Sequence, residues 1–399
     1  MGSMHDTMIL EGPSLAVEAA PGSAEARPRR LRRVRGLLRS LLSGGASALG
    51  WVFGVISLIL GLSILAALPV IQFLSLGYFL ESSARVARSG RLRDGFIGVR
   101  LAGRVGRTAA GVCLSLIPLW LAGMYAGSAA IIDPGGSVER TWRGVQGVVW
   151  AVTCLHLMAA LARGGRLRHF ILPFGNPRWV YRKYRAGGLY SGSRDGFWSF
   201  VGRLRLLHYF RLGLVGFLGT LAWLIVPSAL LASSARFPML GIIGAISLAV
   251  VAPRLPFLQV RYAVEDRTSA LFSFRAVRQG FGRAPWAFAF ALAVLLLASV
   301  PLYLLKIEMI PREAAWLPSL VFVIFLAPAH ALVGWAYARS RRRDRPRHWF
   351  FRVLGRLAIV VVAVFYVLVV FLSRYTSWGG LWSVYEQHAF LLPVPFLSM

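Results

Sequence analysis

Two histidines and two aspartates are the residues of this chain best placed for chemistry. His156 and His330 each sit inside an uninterrupted apolar run, where an ionisable side chain is costly and a functional candidate by default. Together they would suit a proton relay; separately, each suits a hydrogen bond across a helix interface. Asp94 and Asp195 recur in one setting, Arg93-Asp94-Gly95-Phe96 and Arg194-Asp195-Gly196-Phe197, and a third copy without the acid stands at Arg278-Gln279-Gly280-Phe281. Each tetrapeptide precedes a long apolar run. There Arg reaches lipid phosphates, Gly admits a turn with positive φ, and Phe enters the acyl boundary. The Asp pairs with a nearby Arg or caps a helix; ion binding or catalysis by the two aspartates is the competing reading.

Other chemistry is poorly served. No Asp or Glu lies at the centre of an apolar run, which argues against a carrier coupled to protons or sodium, although carbonyls at broken helices also coordinate ions. Glu81 stands near the end of a run, with Arg85 one helical turn on as its natural partner. Cys113 and Cys154 both fall within apolar runs and have no metal or disulfide spacing. Glu386 and His388 are two ligands, too few for a metal site. HExxH, CxxC, G-x-S-x-G and phosphate-cradling glycine patterns are all missing. The expectation is a non-enzymatic protein with no cofactor and no metal.

The elements that hold these residues follow from the apolar runs. A helix needs about 20 residues to cross the hydrocarbon core, and only helices or closed barrels satisfy their backbone there. The runs are continuous rather than alternating, so they read as helices. About nine spans are expected, at 46–67, 69–86, 109–132, 144–162, 212–233, 237–253, 284–305, 316–338 and 355–373. Pro69 separates the first two. The fold class is therefore all-α, a polytopic transmembrane helical bundle with interfacial amphipathic helices and a degenerate internal repeat. Residues 1–26 read as a disordered acidic tail. Residues 27–45 read as a basic amphipathic juxtamembrane segment, 46–373 as the membrane domain, and 374–399 as an aromatic tail folded onto the outer interface, with Trp378 and Trp382 as anchors. No cleavable leader is expected, because the first apolar run is too long and leads into more membrane.

Charge gives the orientation. With the N-terminus inside, only Arg140, Arg143, Arg236, Lys306, Arg312 and Arg374 of the 45 basic residues fall on outer segments. This matches the positive-inside rule at every loop. Nine spans then put the C-terminus outside. If 69–86 lay along the interface instead, every later helix would invert. The net charge of +30 is thus an address within a cell inner membrane rather than a sign of nucleic acid. The aromatic and basic stretch HFILPFGNPRWVYRKYR, inside the long connector 163–211, reads as an interfacial belt. The expected partners are the bilayer, anionic headgroups on the cytoplasmic side and other membrane proteins, with no nucleic acid. A pathway past His156 and His330 is the alternative, as a transporter or channel component.

The repeat has a second strand: Leu68-Pro69-Val70-Ile71-Gln72 is echoed by Leu255-Pro256-Phe257-Leu258-Gln259. The segment GYFLESSARVARSGRLRDGF, from Gly77 to Phe96, resembles an uncharacterised family of bacterial and archaeal multi-pass integral membrane proteins. In that family a Gly-Tyr pair near a helix end is followed by a basic stretch and a short acidic turn. The tail YEQHAFLLPVPF resembles those of longer members. The resemblance implies the fold and a membrane location; it implies no activity.

Overall fold

The computed structural model describes residues 26–172, 174–187, 189–305, 316–376, 380, 384 and 388. The acidic tail, the connector 306–315, Trp378, Trp382 and Glu386 lie outside the described residues. The chain divides into two compact units, residues 1–50 and 51–399. The helical bundle is the second unit; the first helix begins in the first unit and ends in the second.

Among the described residues the chain forms helices and short 3-10 turns, with no strand. The helices are α1 (Ala26–Ala67), α2 (Gln72–Ser89), α3 (Val99–Ile132), α4 (Ser137–Ala162), α5 (Leu167–Ile171), α6 (Gly175–Arg185) and α7 (Leu189–Leu204). They continue with α8 (Leu206–Ala232), α9 (Pro238–Val251), α10 (Leu255–Glu265), α11 (Phe274–Arg283), α12 (Pro285–Leu305), α13 (Leu317–Arg341) and α14 (Trp349–Thr376). Among the described residues, eight helical stretches are long and apolar enough to cross a membrane: 47–67, α3, α4, 190–235, 238–265, α12, α13 and 349–373. The chain is an all-α polytopic bundle. Residues 27–45, expected as a basic amphipathic juxtamembrane segment, lie within α1.

The ninth expected span is α2. Three charges in 18 residues (Glu81, Arg85 and Arg88) keep it out of the apolar set, yet 13 of those 18 residues are buried. Leu76, Phe79, Leu80, Ser83, Ala84 and Val86 are all buried. Its direction follows from its contacts. Against α13, the Phe79 ring meets Phe322 and His330, Ser83 lies at Gly334, and Ser89 bonds Arg342, so the two run parallel over the length of α2. Against α8, Gly77 lies at Tyr209 and Gly213 at Phe73, so those two run antiparallel. Ser75 Oγ donates to the Leu62 carbonyl near the end of α1. The helix therefore runs through the bundle beside α8, α10 and α13, and its one carboxylate, Glu81, is met by protein side chains.

Small residues make this packing possible. A Cβ on Gly77 would collide with the Tyr209 carbonyl, and one on Gly213 with the Phe73 carbonyl. Without a hydrophobic drive between helices in lipid, such close backbone approach is a main source of association.

The expected repeat takes a different form. Arg93–Phe96 enters a 3-10 turn, but Gly95 is not in the left-handed region; Gly98 is, with φ 69°. Arg194–Phe197 lies inside α7, and Arg278–Phe281 inside α11. One tetrapeptide thus occupies a turn and two helices, because four residues do not override their flanking helical propensity. The backbone echo lies elsewhere. Both α2 and α10 end in a left-handed residue, Gly90 (φ 74°) and Asp266 (φ 51°). An extended arginine follows each, Arg91 or Arg267, and then a 3-10 turn, Leu92–Gly95 or Thr268–Phe272. The paired Leu-Pro segments are out of register with it: Gln72 opens α2, whereas Gln259 lies midway along α10.

Candidate anion-binding hollow

Hydrogen bonds gather the basic connectors at one end of the bundle. Arg88 donates to the Ala263 carbonyl at the end of α10 (2.9 Å). Arg342, past α13, donates to the Ser89 carbonyl (3.0 Å). The Arg347 amide donates to the Gly282 carbonyl (3.0 Å), and Arg211 at the start of α8 grips Asp266 through both carboxylate oxygens (2.8 and 2.7 Å). Just inside this end Glu81 is buried, 3.1 Å from Arg85, 3.9 Å from Arg88 and 3.5 Å from His208. The expected Glu81–Arg85 pair is thus one arm of a larger cluster. It neutralises the one carboxylate that α2 carries into the bundle, as a buried charge requires.

Beside α3, the turn from α4 to α5 builds a hollow of about 820 Å³. Arg104 and Arg107 come from the early turns of α3. Arg163, Arg166, Arg168 and His169 come from the turn and α5, and Trp179 from α6. The turn itself is Gly164-Gly165, with φ 105° and 61°, a left-handed pair that side chains with a Cβ would strain. Thr108 Oγ1 donates to the Gly165 carbonyl (2.8 Å) and ties the turn to α3. Asn176 holds the other side: its Nδ2 donates to the His169 carbonyl (2.7 Å), and its Oδ1 accepts from Arg163 (3.2 Å).

The hollow is electrostatically one-sided. Among the described residues, none of its five arginines pairs with a carboxylate. Unit charges about 4 Å apart near a protein surface interact by about 4 kcal/mol, so a shared hollow for like charges favours an anion between them. His169 is 4% exposed, and its Nδ1 has no hydrogen-bond partner among the described residues. Burial, and then the charges of Arg163, Arg168 and Arg166, hold its imidazole below the usual histidine range.

The sequence-nominated histidines have separate surroundings. His156 Nε2 lies 3.1 Å from the Phe170 carbonyl, and its Nδ1 lies 3.4 Å from Asn176 Nδ2. Those contacts fit a ring protonated at Nε2 that braces α4 against α5 and α6. His330 is buried, stacked on Phe79 at 5.6 Å, and its carbonyl accepts from Ser83 Oγ (2.8 Å). The His156 ring thus bonds across a helix interface, whereas the His330 ring stacks on Phe79 and the bond to Ser83 is made by its backbone carbonyl. Asp94 lies 3.9 Å from Arg93, and Asp195 lies 3.0 Å from Arg194. Each aspartate thus pairs with the arginine just before it. Gly280 is buried against Phe288 and Phe281 joins Phe257 and Phe288 in an aromatic cluster, whereas Arg278 is exposed.

Two sites were not evident from the sequence. The hollow draws Arg104 and Arg107 to residues some 60 positions away; the local signal was the run Arg163-Gly164-Gly165-Arg166. His388, expected in a tail on the outer interface, is instead buried between Ser228 (3.0 Å) and Tyr366. Its apolar flanks disguised a polar contact between the tail, α8 and α14. Comparison of the chain with protein-family models, with curated proteins and with solved structures found no match.

Proposed function

We propose that this chain is a non-enzymatic, multi-pass protein of a cell inner membrane that organises anionic lipid at the face where its basic connectors gather. In this reading that face is cytoplasmic, α2 crosses as the ninth span, and the C-terminus is outside. Kinship with the uncharacterised membrane-protein family rests on the Gly77–Phe96 segment.

The observation that carries the reading is the surface of the connector between α4 and α8. Phe174, Tyr181, Tyr184, Tyr190, Phe197 and Trp198 are all exposed there, interleaved with Arg178, Arg182, Lys183 and Arg185. Exposed aromatics in water are costly, whereas at a headgroup boundary the same rings and guanidinium groups are both satisfied. The positive-inside bias of the connectors supports the orientation. The separate, packed surroundings of His156 and His330 favour this reading over a pathway between them.

A depth measurement tests it. A nitroxide on Tyr181→Cys, in the full chain with Cys113 and Cys154 replaced by Ala, is placed in nanodiscs with and without phosphatidylglycerol. Relaxation by oxygen exceeding that by a water-soluble nickel complex, more so with phosphatidylglycerol, is expected. Equal exposure to the nickel complex in every nanodisc would contradict the reading.

A further inference from the structure

We propose that the arginine hollow is a binding site for one phosphate-bearing anion, with Arg104 and Arg107 of α3 facing Arg163, Arg166 and Arg168 across it. This deepens the function proposed above and rests on it for the lipid source of the phosphate.

Four observations converge. The hollow, at about 820 Å³, is within the range of pockets that enclose a small ligand. Its charge is single-signed among the described residues, with five guanidinium groups and no acidic lining residue. Guanidinium forks match phosphate oxygens two at a time, which sets them apart from lysine as phosphate ligands. His169 lines the same space, and its buried Nδ1 has no hydrogen-bond partner among the described residues.

The site is built rather than incidental. Thr108 and Asn176 fix its two walls through the Gly165 and His169 carbonyls, and Arg163 is already oriented by Asn176 at 3.2 Å. Arg104, Arg107, Arg166 and Arg168 make no ion pair among the described residues, so their donors remain for a ligand. Trp179 adds an aromatic surface at the edge, suited to the glycerol or sugar part of a headgroup. The same chemistry would accept a free phosphorylated compound from solution, so the two sources need separate probes.

The test is calorimetric titration of the full chain in a neutral detergent with three probes: dioctanoyl phosphatidic acid, dioctanoyl phosphatidylcholine and inorganic pyrophosphate. The Arg104→Gln/Arg107→Gln variant removes two guanidinium groups that hold no other element in place. The Arg140→Gln/Arg236→Gln variant removes two from the opposite connectors, outside the hollow and outside the basic face. Loss of two charge-assisted contacts predicts at least about a tenfold weaker affinity in the α3 variant, with the Arg140/Arg236 variant unchanged. Binding of phosphatidic acid but not phosphatidylcholine, lost in the α3 variant, supports a lipid ligand. Binding of pyrophosphate alone, lost in the same way, supports the site with a soluble ligand and removes its lipid source. Wild-type protein that binds neither phosphate probe, or an α3 variant that binds them like wild type, overturns the site. The nitroxide depth of Tyr181 is unaffected by either result, so failure of the hollow and failure of the interfacial reading remain distinguishable.

Discussion

At the scale of single residues, buried polar groups divide into those that finish their bonding within the protein and those that do not. Glu81 finishes it: one carboxylate meets Arg85, Arg88 and His208. Its partners are partly exposed, which screens the cluster. Glu81→Gln is therefore expected to destabilise the detergent-solubilised protein by only about 1–3 kcal/mol, read as a lowered unfolding temperature; no loss would mean the cluster is not neutralising α2. His169 does not finish it. Its imidazole titrates below its ordinary value of 6.5, so it is neutral in both folded and unfolded protein above that pH. As pH falls through 6.5 the unfolded chain takes up the proton first, and stability is lost progressively down to the folded value. Between pH 7.5 and 5.5 wild type should lose more unfolding temperature than His169→Gln. Equal losses would place the acid sensitivity on other groups.

At the scale of elements, most helices were legible because lipid forces a simple pattern: apolar runs such as Ile242–Val251 and Ala289–Val300 have no alternative to helix. The helix at 69–86 was legible too, as α2, although Glu81, Arg85 and Arg88 set it apart from the stretches apolar enough to cross; its packing against α8 and α13 buries it. What stayed hidden was conformation set by context. Arg-x-Gly-Phe recurs in sequence but not in backbone, while Gly90-Arg91 and Asp266-Arg267 share a backbone with only the arginine in common. The hollow was hidden for a related reason, since its arginines converge only once α3 and α4 form a hairpin, with Tyr125 stacked on Trp142 at 4.9 Å. The tightest helix crossing gives a prediction at this scale. Gly213→Val would force a side chain onto the Phe73 carbonyl. It should cost about 1–3 kcal/mol or more and shorten the protein's lifetime in detergent, whereas Gly127→Ala, with open space at its Cβ, should not. Equal behaviour of the two variants would remove the α2–α8 approach as a source of stability.

At the scale of the whole molecule, the charge asymmetry and the interconnected basic ends lead to one account, a bundle whose basic face does its work on anionic headgroups. Its sidedness is open to a direct check in a chain with Cys113 and Cys154 replaced. A cysteine at Ser137, the first residue of α4, should react with an impermeant maleimide from outside the cell, and one at Ser269, between α10 and α11, only in inverted vesicles; labelling of both from the same side would contradict the proposed topology. Native mass spectrometry of the full chain, released from bilayers of equal phosphatidylglycerol and phosphatidylcholine, tests whether the protein engages anionic lipid selectively. Phosphatidylglycerol retained in excess, and reduced by Arg104→Gln/Arg107→Gln, is expected; equal retention of the two lipids would rule out selective engagement.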